Sequence, residues 1–86
     1  MMQFSEWQLQ EGTNSWVKSM PKKCGVVVIV YPTTMMPTSY YVGFYWEAEV
    51  IKKAFPTFPY YFDSVDEAKK SVDQLINRFN NLSAFI

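Results

Sequence analysis

The chain has 86 residues, eight basic and eight acidic, with no histidine and one cysteine. That is the length of one domain, and a chain so short buries only about 60–65% of the surface its unfolded form exposes. The zero net charge argues against an obligate nucleic-acid binder, whose affinity comes largely from phosphate neutralisation. It also argues against a strongly acidic DNA mimic, and it favours association.

The hydrophobic fraction is 49% and the aromatic fraction 19%, with seven Phe, six Tyr and three Trp. Large rings bury roughly 150–250 Å² each. A few can build a core that length alone does not supply and leave others for a binding surface. Cys24 has no partner for a disulfide within the chain, so the reducing cytoplasm is the expected compartment. Residues Met1 to Glu6 lack the pattern of a secretory leader. The longest apolar run, 25–31, is far below the roughly 20 residues of a membrane span. No contact with membrane is expected.

In chain order, residues 4–10 and 15–19 flank Glu11-Gly12-Thr13-Asn14 and read as a hairpin, with a short helix over 5–10 as the competitor. Residues 25–31 are β-branched and apolar on both faces, which predicts a central strand. Pro32 ends it, and 33–38 is a predicted loop whose Met35 and Met36 are either buried anchors or a contact surface. Residues 39–51 read as the second strong strand. Tyr40, Val42, Phe44, Trp46, Ala48 and Val50 should face inward; Tyr41, Gly43, Tyr45, Glu47, Glu49 and Ile51 should face outward.

Lys52 and Lys53 form the next predicted turn. Residues 55–62 look extended, but Pro56 and Pro59 confine them to an edge strand or loop. Ser64 to Glu67 fits a capping box. Val65, Ala68, Val72, Leu75, Ile76, Phe79 and Leu82 then trace one helical face, predicting a helix over 65–80 with Asn80-Asn81 as its stop. The apolar tail to Phe85 and Ile86 either covers the sheet or reaches a second subunit.

The expected fold is α+β: a single domain with an antiparallel meander of four to five strands and one C-terminal helix packed across one face. Alternate turns of a meander share an end. Lys18, Lys22, Lys23, Lys52 and Lys53 should therefore gather at one end, with Asp63, Asp66 and Glu67 at the other.

Without histidine, Ser-His-Asp, Cys-His and Cys/His zinc arrangements are excluded. Three scattered glycines do not make a phosphate loop. Glu47 and Glu49, about 7 Å apart on a strand, match the spacing of paired glycosidase carboxylates. Any acidic i, i+2 pair on a strand gives that spacing, and a solvated face is the expectation. Cys24 beside Lys22 and Lys23 reads as an ordinary turn cysteine. No catalytic residue, metal site or cofactor is expected.

The candidate binding residues are Tyr41 and Tyr45 with Glu47 and Glu49 on the outward face, and the pairs Lys22, Lys23, Lys52 and Lys53. Sheet tyrosines anchor protein interfaces or stack bases. Equally, these rings could pack under the hairpin or the tail. The glutamates would repel phosphate. The expected function is thus a non-catalytic protein-binding module, a regulator or inhibitor, with another protein or a second copy as partner. The alternative is a single-stranded nucleic-acid binder using the tyrosines and the lysine end. At fold level the arrangement resembles small phage and plasmid accessory proteins, many of them inhibitors of host enzymes. It also resembles four-strand, one-helix single-strand-binding folds. No residue is diagnostic of either.

Overall fold

A computed structural model describes residues 3–31 and 39–83. The predicted loop with Met35 and Met36, and the tail residues Phe85 and Ile86, lie outside the described residues. Five strands, β1 (Gln8–Leu9), β2 (Trp16–Ser19), β3 (Gly25–Val30), β4 (Tyr40–Trp46) and β5 (Tyr61–Phe62), form one sheet in sequence order, every neighbouring pair antiparallel. Among the described residues two helices accompany it, α1 (Glu49–Ala54) and α2 (Val65–Ser83). The α+β meander with a long closing helix is the fold that the residue pattern implies.

Period-two burial along β3 sets the layers. Val27 and Ile29 are fully buried, whereas Val26, Val28 and Val30 are half-buried. Val27 pairs with Phe44 and Ile29 with Val42, which places all four on one face. Ala68, Val72, Leu75 and Ile76 of α2 close over them, as their helical spacing requires. Ser64 caps α2, its Oγ accepting from the Glu67 N–H at 3.1 Å. The helix runs past the expected stop at Asn80-Asn81 to Ser83. Asn is only weakly disfavoured inside a helix, so two of them need not end it.

The N-terminal segment is a hairpin and not a helix. The Gln10 N–H donates to the Ser15 carbonyl at 2.9 Å, and the Ser5 N–H to the Ser19 carbonyl at 2.7 Å. Trp7 points to the helix side, where its Nε1 donates to Asp73 at 3.1 Å. Asp73 also pairs with Lys18 at 3.0 Å.

The second strong strand is shorter than its alternation predicts. The strand predicted over 39–51 stops at Trp46, and 49–54 are helical, so Lys52 and Lys53 occupy the last turn of α1 rather than a turn between strands. The reason is a coincidence of periods. Apolar residues at 44, 46, 48 and 50 alternate as a strand does, but Ala48, Ile51 and Phe55 are also spaced as a helical face. The core selects the second pattern. Ala48 and Ile51 are fully buried, while Trp46 and Val50, expected inside, are exposed. Glu49 in the first turn and Lys52 and Lys53 in the last suit the helix dipole.

Candidate functional site

Both helices belong to the same buried cluster, and the half-buried Phe4, Trp7, Trp16, Phe55, Phe58 and Tyr60 pack against it. The opposite sheet face has no second layer among the described residues. Strand register assigns it Gln8 from β1, Val17 and Ser19 from β2, Val26, Val28 and Val30 from β3, Tyr41, Gly43 and Tyr45 from β4, and Tyr61 from β5. None of these side chains carries a charge.

Three tyrosines shape this face. Tyr41 and Tyr61 are register partners whose rings tilt together with centroids 5.3 Å apart. Tyr61 is 62% exposed and Tyr45 46% exposed, whereas Tyr41 is half-buried. The Tyr45 ring folds back over Gly43, which is why a glycine in mid-strand is nonetheless buried. Tyr61 was absent from the expected binding set because Pro56 and Pro59 obscure its strand. Its register with Tyr41 depends on the Val42 N–H bonding the Tyr60 carbonyl at 2.8 Å.

Glu47 and Glu49 do not join the tyrosines. They lie past the end of β4, in the turn and in α1, so they share no strand face. The glycosidase-like spacing and the acidic character expected of the tyrosine face both disappear. Lys18 also departs from expectation. It pairs with Val27, points to the helix side, and keeps only 16% of its side chain exposed in the ion pair with Asp73.

Lys22 and Lys23, in the turn before β3, lie at the end of the sheet where Gly25 pairs with Trp46, whereas Lys52 in the last turn of α1 reaches the Tyr60 ring, its Nζ 5.5 Å from the centroid. Asp63, Asp66 and Glu67 fall at the opposite end, where β5 hands over to α2. Glu47 and Glu49 accompany Lys22 and Lys23, so the Gly25 end carries both signs rather than a basic pole.

That end is held by a close approach. The Glu47 N–H donates to the Cys24 carbonyl at 2.8 Å, and a Cβ on Gly25 would come within 3.1 Å of the Ala48 nitrogen and 2.6 Å of the Met20 sulfur. Trp46 there has φ of +57°, in the left-handed region that a bulky residue rarely enters. It is also 64% exposed. Strain without compensating burial marks Trp46 as a candidate contact residue. Alternation alone had placed it inside.

Other sites offer less. A cleft of about 270 Å³ is lined by Gln3, Phe4, Met20, Pro21, Lys22 and Lys23. No group of three metal-ligating side chains exists among the described residues. No helix among them is long and apolar enough to cross a membrane. The Tyr60 hydroxyl is held above its ordinary value near 10, first by burial and then by the neighbouring Tyr41. It donates to the Phe55 carbonyl at 3.0 Å, which is a structural role. No known protein family, characterised protein or solved structure matches this chain.

Proposed function

We propose that this chain is a non-catalytic protein-binding module that docks its partner on the open face of the sheet. The observation that carries the reading is the sheet face of Val17, Val26, Val28, Val30, Tyr41, Tyr45 and Tyr61, which no second layer covers among the described residues and which carries no charge. Apolar centres with tyrosine anchors and charged margins are the anatomy of protein interfaces. The one charged strand residue, Lys18, points to the helix side, and around the open face charges stand at the strand ends, at Lys22, Lys23, Glu47 and Asp63 among others. A base-stacking role for the tyrosines would need cations beside them, and none lies on their face. A module of this kind acts through what it occupies, so regulation or inhibition of the bound protein is the role implied.

The test is affinity capture from cells that naturally carry the protein, with mass spectrometry, comparing wild type with Tyr61→Lys. Tyr61 is mostly exposed, so the variant should fold. The expected result is a captured protein lost with Tyr61→Lys and retained with Val50→Lys, a substitution on α1 away from the face. Identical capture by all three would refute the reading.

A further inference from the structure

We infer that the partner on this face is a second copy of the same chain, the two sheets packing face to face about a two-fold axis. This rests on the protein-binding reading and names its occupant.

Three observations favour a like partner. First, the face carries no charge, so two copies bury no unpaired ion when they meet. A face bearing one sign would need an opposite partner; a neutral one fits itself. Second, the margin at the end of the sheet where Gly25 pairs with Trp46 is two-signed, while the opposite end is acidic. Lys22 and Lys23 sit at the same sheet end as Glu47 and Glu49, and the whole chain is neutral. An isologous interface brings each patch against its own copy, so residue i meets j and j meets i. Only a margin with both signs can then pair with itself. Third, the hydroxyls of Ser19, Tyr41, Tyr45 and Tyr61 are both donors and acceptors, so this face is its own complement in hydrogen bonding as well.

The area sets the strength. A sheet of five strands, the longest of seven residues, offers a footprint on the order of 400 Å² at about 4.8 Å between strands and 3.4 Å per residue. Stable interfaces bury roughly 800 Å² on each partner. The dimer is therefore a weak, concentration-dependent one, and not an obligate assembly.

Sedimentation velocity over about 10–1,000 μM chain tests this, since interfaces at the small end of the range dissociate within such a window. The expected result is a monomer shifting to a dimer for wild type and for Val50→Lys, and at least tenfold weaker association for Tyr61→Lys. Mixed isotope labelling of the wild type provides a second measurement that no variant can confound: contacts between copies should join Val28 or Val30 methyls to Tyr45 or Tyr61 rings. A wild type that stays monomeric throughout overturns the inference, as do contacts between copies through α1 or α2 alone. If the chain is monomeric yet Tyr61→Lys still loses a captured foreign protein, the inference falls while the protein-binding reading stands. If Tyr61→Lys loses neither, both fall.

Discussion

The ring of Tyr45 covers Gly43 two residues back on the same strand, so closely that a Cβ built on Gly43 would lie 2.6 Å from the Tyr45 hydroxyl and 2.7 Å from a ring carbon. The glycine and the tyrosine act as one surface unit. The obstacle to a larger residue at 43 is the far end of a mobile side chain and not the backbone. Gly43→Ala should therefore fold with stability within about 1 kcal/mol of wild type, strand propensity offsetting the displaced contact. The Tyr45 ring should swing away, which NMR of its ring protons would report. Unmoved ring resonances would show that the ring does not rest on Gly43.

Gly25 makes the opposite case. A methyl there meets the Ala48 backbone nitrogen, which cannot swing aside. Gly25→Ala should cost about 1–3 kcal/mol, as overpacking does. Urea denaturation checks it, and a loss as small as that of Gly43→Ala would contradict the close approach.

Trp46 combines a left-handed backbone with an exposed ring. Trp46→Gly and Trp46→Ala remove the same ring, but only glycine relaxes the backbone. The glycine variant should be the more stable by about 1 kcal/mol, since the left-handed conformation costs other residues roughly 1–2 kcal/mol. Equal stabilities would mean no strain resides there.

Lys18, Asp73 and Trp7 form a half-buried polar cluster between β2, α2 and the N-terminal segment. Removing Asp73 takes the partner from both a lysine whose side chain is largely buried and an indole N–H. Asp73→Ala should cost about 1–3 kcal/mol. Lys18→Met, which keeps the packed stem, should cost less. Chemical denaturation of both variants decides, and the reverse order would show that packing of the lysine stem outweighs its charge.

Tyr60 gives a pH signature. Its folded value lies above its ordinary one because burial disfavours the phenolate. The neutral form is the one that folds, so its contribution is complete below about pH 10 and is lost as pH rises through the folded value. Melting temperature should fall above about pH 10, and less steeply in Tyr60→Phe. That variant also loses the bond to the Phe55 carbonyl, worth about 0.5–1.5 kcal/mol near neutral pH. An unchanged slope would place the alkaline loss on other groups.

The residue pattern determined the α+β class, the central strand through Val27 and Ile29 and the capped helix from Val65; for the N-terminal segment it left hairpin and short helix open, and the pairing of β1 with β2 decides for the hairpin. The first three rest on local chemistry: β-branched runs, turn residues, a serine cap and one apolar stripe. Only the tertiary structure decided where β4 ends, because residues 44 to 55 satisfy two periods at once and the choice belongs to the core that takes in Ala48 and Ile51. That choice removes Glu47 and Glu49 from the tyrosine face and brings Tyr61 beside Tyr41, since register between strands is a long-range property. The neutrality of the open face follows from those placements.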